Sequence, residues 1–82
     1  MPTDFIHIGF GNIMAMNRVI AILSPEQEPT RRLVREAREK GTLIDATHAR
    51  KAKAVLILDN GYLAIAAISP ETIAKRLAAN RG

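Results

Sequence analysis

The turn Asp59-Asn60-Gly61 lies between two aliphatic runs, and it constrains the fold more than any other feature of the sequence. Asn-Gly supplies the positive φ angles of a type I′ turn, so residues 54–58 and 62–68 are predicted to pair as an antiparallel β-hairpin. Neither run alternates between apolar and polar residues, which is typical of strands that are buried on both faces. Because the chain has only 82 residues, we expect a neighbouring subunit to supply part of that cover.

The remaining elements are indicated by periodicity and by capping residues. The pattern predicts strands at residues 5–8 and 43–45, an extended segment at residues 13–23 and a helix at residues 30–40. Gly41 is in the position of a left-handed C-cap, and Ser69 is in the position of an N-cap for a second helix that begins at Pro70. We therefore predict one α+β domain, residues 1–82, with a mainly antiparallel sheet, one mid-chain helix and one C-terminal helix.

Each predicted helix has an apolar stripe, and the first one also carries charge pairs. The stripes comprise Thr30, Leu33, Val34 and Ala37 in the first helix, and Ile73, Ala74, Leu77 and Ala78 in the second. In the first helix, oppositely charged side chains stand four residues apart, at Arg32–Glu36, Arg35–Glu39 and Glu36–Lys40. We interpret that face as a solvated surface held by ion pairs.

The apolar content is large for so short a chain. Hydrophobic residues make up 48% of it, with no Trp, one Tyr and two Phe, so most of the apolar surface is aliphatic. A small monomer hides such surface with difficulty, and exposed apolar patches usually mark an interface, so we predict a homo-oligomer. We expect a cytoplasmic protein with no membrane partner: there is no cysteine, no secretory signal at the N-terminus and no apolar run of about 20 residues.

The cations that lack neighbouring acids are the candidate functional residues. The formal net charge is +4, and the connection at residues 46–53 holds Arg50, Lys51 and Lys53 beside small residues. Unpaired cations on an exposed loop suit phosphate binding. Arg18 is the single charge within residues 13–23, so it either finds a carboxylate or faces a ligand. An oligomer repeats these cations, which strengthens the binding of a polyanion.

Other chemistries have weaker support. Gly9-Phe10-Gly11 lacks the third glycine of a dinucleotide fingerprint and is interpreted as a tight turn or bulge between strands. His7 lies in an apolar strand and is predicted to be a core or interface histidine, and Asp45 with His48 is too small a set to hold a metal. We therefore predict no enzymatic activity, no cofactor, no metal site and no small-molecule substrate.

An ordered series of motifs resembles the bacterial RemA family of extracellular-matrix regulatory proteins. The resemblance covers about residues 6–77. It is carried by Ile8-Gly9-Phe10-Gly11-Asn12-Ile13, Asn17-Arg18-Val19-Ile20-Ala21-Ile22, Ser24-Pro25-Glu26, Glu36-Ala37-Arg38, Leu43-Ile44-Asp45-Ala46-Thr47, Ala54-Val55 and Pro70-Glu71-Thr72.

The resemblance implies a nucleoid-associated transcriptional regulator that activates genes for biofilm matrix and osmoprotection. It also implies a ring-shaped homo-oligomer that binds double-stranded DNA. The family's DNA-contacting arginines fall on Arg18, Arg50 and position 51, and we add Asn17 and Lys53 to the predicted contact set. The family usually has Tyr-Gly-Arg-Arg where this chain has His48-Ala49-Arg50-Lys51. Lysine keeps the attraction for phosphate but loses the planar fork of arginine, so Lys51 is expected to contact phosphate.

Two other classes of function stay open. The first is an oligomeric scaffold or protein-interaction module that does not bind DNA and whose cations serve solubility. A small enzyme is the second, and it requires a pocket with converging polar groups, which the sequence does not indicate.

Overall fold

A computed structural model describes residues 4–81 of the chain and the side chains of residues 4–79. Residues 1–3, part of the N-terminus used in the localisation prediction, lie outside this range. The protein is α+β, as predicted. Its elements in chain order are β1 Phe5–Gly9, β2 Asn12–Ala15, β3 Val19–Leu23, α1 Glu28–Lys40, β4 Leu43–Ala46, β5 Ala54–Leu58, β6 Leu63–Ala66 and α2 Pro70–Arg81.

The strands form two sheets. β1 and β2 pair as an antiparallel two-stranded sheet, and the other four strands form a sheet in the order β3-β5-β6-β4. β5 pairs antiparallel with both β3 and β6, whereas β4 runs parallel to β6. The prediction of a mainly antiparallel sheet is therefore confirmed, with β4 as a parallel edge strand.

The central hairpin is confirmed, but its predicted turn type is wrong. Gly61 has a φ of +88°, whereas Asn60 does not adopt a positive φ, so the turn is not type I′. The Leu58 N–H donates to the Tyr62 carbonyl at 2.9 Å, and the Gly61 N–H donates to the Leu58 carbonyl at 3.2 Å. Such a pattern is that of a three-residue loop with one left-handed glycine. The Asn60 side chain contributes by accepting the Tyr62 N–H at 3.0 Å.

The extended segment predicted at residues 13–23 is interrupted. Met16–Arg18 forms a short 3-10 turn between β2 and β3. Here the chain leaves the small sheet and enters the large one, so the direction of the backbone must change. The Met16 N–H donates to the Asp4 carbonyl, and the Asp59 N–H donates to the Arg18 carbonyl at 2.9 Å. The turn thereby places Asn17 and Arg18 on the surface beside the loop of the central hairpin.

Helix α1 begins two residues before its predicted start because Pro29 is accommodated in its first turn. Its C-cap is confirmed: Gly41 has a φ of +75°, and its N–H donates to the Ala37 and Arg38 carbonyls. Thr30 and Ala37 are buried, but Leu33 is exposed. The predicted apolar stripe is therefore wider than the face of α1 that packs against the large sheet.

Helix α2 is capped as predicted, since the Thr72 N–H donates to Ser69 Oγ at 3.2 Å. Ile73 is fully buried, whereas Ala74 and Ala78 are exposed, contrary to the predicted stripe. The reason is that α2 packs mainly against β1, through the side of the helix that carries Ile73. His7, predicted as a core or interface histidine, is not in the core of the chain: β1 alternates, burying Ile6 and Ile8 and exposing His7.

The core has one cluster on each face of the large sheet. Leu56 packs with Ile8 and Ile73 on the face covered by β1 and α2, and Val55 packs with Ile65 and Ala37 on the face covered by α1. Both central strands are therefore buried by elements of their own chain. This corrects the expectation that a neighbouring subunit supplies part of their cover.

Candidate nucleic-acid interface

The basic connection between β4 and β5, residues 47–53, is fixed at both ends and is called the basic loop below. At its start the Thr47 N–H and hydroxyl both donate to Asp45 Oδ1, at 2.9 and 2.6 Å. The Arg50 N–H donates to the Thr47 carbonyl at 3.0 Å, and the Lys53 N–H donates to the Ala66 carbonyl at 2.8 Å. A loop anchored in this way presents its cations from a defined backbone.

The anchor at Asp45 is charged. The hydroxyl and backbone N–H of Thr47 lower the pKa of the Asp45 carboxyl; burial opposes this shift in part, and the positive charge of Arg38 also lowers the pKa. Hydrogen bonds that are donated to a carboxylate favour its ionised form. The first turn of the basic loop is therefore stabilised when Asp45 is ionised.

The backbone of the basic loop is strained at two consecutive residues. His48 and Ala49 have φ angles of +53° and +65°. Non-glycine residues rarely adopt this left-handed region, at a cost of about 1–3 kcal/mol each. Such residues persist where the surrounding structure holds them, and they concentrate at ligand sites. In this loop they lie directly before the exposed side chains of Arg50 and Lys51.

The glycine-rich turn between β1 and β2 lies against the basic loop. Gly9, Phe10 and Gly11 all have positive φ angles, and the Asn12 side-chain amide donates to the Gly9 carbonyl at 3.0 Å. The prediction of a tight turn between strands is confirmed. The Phe10 ring stacks on the His48 ring with 5.0 Å between centroids, a contact that the sequence analysis missed.

A cavity of about 390 Å³ opens where this turn and the basic loop meet. The described residues that line it include three cations and no carboxylate; they are Gly9, Phe10, Arg50, Lys51, Lys53, Ala67 and Ile68. Positive side chains around an open cavity, close to glycine backbone, suit an anionic group such as a phosphate. The structure thus brings together three of the five predicted contact residues.

A second cavity of about 400 Å³ lies on the other side of Lys51 and Lys53. It is also lined by the two Ser-Pro-Glu segments, 24–26 and 69–71, that precede or open the helices. Glu26 and Glu71 make the potential on this side less positive. Therefore the face toward the glycine-rich turn is the more attractive one for a polyanion.

Arg18 and Asn17 lie apart from the basic loop. Arg18 Nε donates to Asp59 Oδ2 at 2.8 Å, with the two side chains 60% and 44% exposed. The sequence left two alternatives for Arg18, a carboxylate partner or a ligand. The structure shows the carboxylate partner. Val19 pairs with Leu58 at one end of β5, whereas Lys53 precedes the other end. A five-residue strand separates the two groups by about 15 Å.

The predicted ion pairs on α1 are wrong. Within the described residues, Arg32–Glu36, Arg35–Glu39 and Glu36–Lys40 do not form, and Arg35 instead lies 3.7 Å from Glu28. These side chains are long and exposed, so ordering them costs about as much free energy as an ion pair contributes. The arginines of α1 thus remain exposed on the surface.

The structure gives little support for other kinds of site. Across residues 4–81 no cluster of three or more His, Asp or Glu side chains is placed to hold a metal ion. No helix in the same range has the length and apolar character to cross a membrane.

Comparison with known proteins gives one family along almost the whole chain. The family described as RemA-like, extracellular matrix regulatory protein A-like, matches residues 5–77. A protein of Dehalococcoides mccartyi strain 195 is 54% identical, over all of this chain and 85% of its own length. Proteins of Halothermothrix orenii and Cyanothece sp. PCC 7425 are 51% and 53% identical, over 98% and 89% of their own lengths. All three are named "Putative regulatory protein".

Proposed function

Because this chain belongs to the RemA-like family of extracellular matrix regulatory proteins, we propose that it regulates transcription by binding double-stranded DNA through its basic loop. The family and the names of the relatives point to a regulatory protein and not to an enzyme. The proposed location is the nucleoid, since the partner is DNA. The proposed cellular role, control of matrix genes, comes from the family alone.

The observation that carries this proposal is the cation-lined cavity beside the glycine-rich turn. Arg50, Lys51 and Lys53 converge there without a carboxylate among the described lining residues. Phosphate contacts from lysine and arginine supply most of the affinity for DNA in sequence-independent binding. The small side chains of Ala49 and Ala52 let a phosphate backbone approach the loop closely.

A single basic loop is expected to bind DNA weakly. We therefore propose that the protein forms a homo-oligomer, which repeats the loop in every subunit. Ile20 is 68% exposed on the edge strand β3, and Phe5 and Ile13 are 54% exposed on the small sheet. Exposed apolar side chains and open strand edges favour self-association. A ring, which the family resemblance implies, sets the loops in register and raises affinity by avidity. In this proposal residues 1–82 act as one DNA-binding, oligomerising domain.

Asn17 and Arg18 form the second part of the proposed interface. They lie about 15 Å from the basic loop across the length of β5. Both groups therefore contact the same duplex only if the DNA crosses that distance or if neighbouring subunits bring them together. Arg18 must also exchange Asp59 for a phosphate.

A gel-shift titration on random-sequence duplex DNA at low salt tests the proposal. We expect the wild-type protein to shift the duplex at micromolar concentration, in the range of roughly 10⁻⁴ to 10⁻⁶ M typical of non-specific binding. The variant Arg50→Ala/Lys51→Ala/Lys53→Ala should lose the shift. A charge-matched control, Arg31→Ala/Arg32→Ala/Lys40→Ala, removes three exposed cations from α1 and should keep most of the affinity.

Two results contradict the proposal. If the wild-type protein gives no shift at micromolar concentration, the alternative of a scaffold or protein-interaction module is favoured. If the two triple variants lose affinity equally, general positive charge and not the basic loop is responsible for binding.

A further inference from the structure

The side chain of Phe10 connects two segments that are far apart in the sequence. Its ring stacks on the His48 ring, with 5.0 Å between centroids and an interplanar angle of 21°. The guanidinium carbon of Arg50 lies 5.6 Å from the centroid of the Phe10 ring, within the range of a cation–π contact. One aromatic side chain of the glycine-rich turn therefore contacts two residues of the basic loop.

The ring remains half exposed, at 49%. A large aromatic side chain that served only to fill the core would be buried, and the two core clusters do not include Phe10. Its contacts are instead with His48 and Arg50, at the rim of the cation-lined cavity. The position thus indicates a role at the surface where DNA is proposed to bind.

The backbone on both sides of this contact is left-handed. Phe10 has a φ of +54°, and His48 and Ala49 have φ angles of +53° and +65°. The flanking glycines adopt the turn without strain, whereas Phe10 is sterically strained because it carries a side chain at positive φ. Strain at facing residues of two contacting segments indicates that the contact holds both backbones in place.

We propose that Phe10 is a positioning residue of the DNA interface, whose ring holds the Arg50 side chain and the His48 turn in the geometry that contacts a phosphate. This inference rests on the proposed function. Arginine loses side-chain freedom when it binds, and an arginine already held against a ring loses less. The hydrogen-bonding edges of the guanidinium stay available, because a cation–π contact uses its face.

Substitution of Phe10 tests this role. We expect Phe10→Ala to weaken duplex binding by about tenfold, from the loss of one aromatic pair and one cation–π contact. Alanine meets the same positive-φ restriction as phenylalanine, so the change removes the ring without relieving the backbone. Phe10→Leu, which retains apolar volume, should bind as weakly as Phe10→Ala, whereas Phe10→Tyr should restore most of the affinity. Leu33→Ala is the matched control, because Leu33 is also a large apolar side chain, 41% exposed, and it lies on α1 outside the proposed interface.

A double-mutant cycle separates positioning from general destabilisation. If Phe10 acts through Arg50, adding Phe10→Ala to Arg50→Ala should cause little further loss of affinity. Arg50→Ala should also lower the slope of log affinity against log salt by about one unit, as expected for one lost phosphate contact, whereas Phe10→Ala keeps this cation and should change the slope less. The imidazole proton signals of His48 in NMR spectra should move in Phe10→Ala and stay in place in Leu33→Ala.

The outcomes distinguish the two proposals. If wild-type protein binds the duplex and Arg50→Ala weakens it, but Phe10→Ala binds normally, the positioning role is overturned and the proposed function stands. Additive losses in the double variant overturn it as well. If wild-type protein does not bind the duplex at all, the proposed function itself is overturned.

Discussion

Arg18 and Arg50 are exposed arginines on turns, but their partners differ in kind. Arg18 donates to the carboxylate of Asp59, whereas Arg50 lies against the neutral ring of Phe10. An exposed ion pair contributes about 0–1 kcal/mol to stability, so the Arg18–Asp59 pair is weak enough to exchange for a phosphate. Arg50 keeps its full positive charge available, which makes it the stronger candidate for the first contact with DNA.

The pairing of Arg18 leads to a prediction about Asp59. The variant Asp59→Asn should raise the affinity for duplex DNA by about threefold at low salt, because it releases Arg18 to contact a phosphate. The turn should be preserved, since the Asp59 backbone N–H still donates to the Arg18 carbonyl. Fluorescence anisotropy with a labelled duplex measures the change.

Two controls accompany this measurement. Glu28→Gln breaks a different exposed ion pair, with Arg35 on α1, and should change the affinity much less. The gain from Asp59→Asn should vanish when Arg18→Ala is also present. A gain that persists without Arg18 would show that Asp59 acts only through overall charge.

Among the elements, the basic loop depends on the strand ends that flank it. Asp45 at the end of β4 binds Thr47, and Ala66 at the end of β6 binds Lys53 through the backbone. β4 and β6 are neighbouring parallel strands, so both anchors lie where the C-terminal ends of these strands meet. The rigid sheet thereby positions the cations.

The anchor at Asp45 predicts a dependence of stability on pH. Because the folded protein lowers the pKa of Asp45, its stabilising contribution is present above the ordinary pKa of aspartate, about 4, and is lost as the pH falls through the folded pKa. Asp45→Asn should therefore be less stable than wild type at pH 7, and the difference should shrink in acid. Denaturant unfolding at a series of pH values measures it, and a difference that stays constant with pH would contradict the assignment.

Local elements were predictable from the sequence, whereas contacts between them were not. The central hairpin, the Gly41 C-cap and the Ser69 N-cap depend on a few adjacent residues, so their signals are local. The turn type at Asn60 was missed because its side chain binds the Tyr62 N–H, an alternative to positive φ. The 3-10 turn at Met16–Arg18 was missed because the change of sheet that requires it is a tertiary feature.

The same difference in scale applies to the candidate site. A run of cations without acids made Arg50, Lys51 and Lys53 recognisable from the sequence alone. The carboxylate of Asp59 and the ring of Phe10 come from distant segments, and no spacing rule places them beside Arg18 and Arg50. The glycines on both sides of Phe10 indicated a tight turn between strands, but they did not indicate the exposed aromatic side chain that this turn presents.

At the scale of the whole molecule, a single chain buries a hydrophobic core without a second subunit, and it also leaves several apolar side chains exposed. β5 and β6 are covered by α1, α2 and β1, so self-association is not needed to bury the central strands. Phe5, Ile13 and Ile20 remain exposed on the small sheet and on β3. These residues, and not the central hairpin, are therefore the proposed contacts between subunits.

Native mass spectrometry with and without a short duplex DNA tests the central claim most directly, because it counts the protein copies bound to one duplex. We expect a closed oligomer in the absence of DNA and a complex of several copies with one duplex at low ionic strength. Arg50→Ala should keep the oligomer and lose the complex. Finding only free monomer and free duplex under the same conditions would contradict both the repeated basic loop and its binding to DNA.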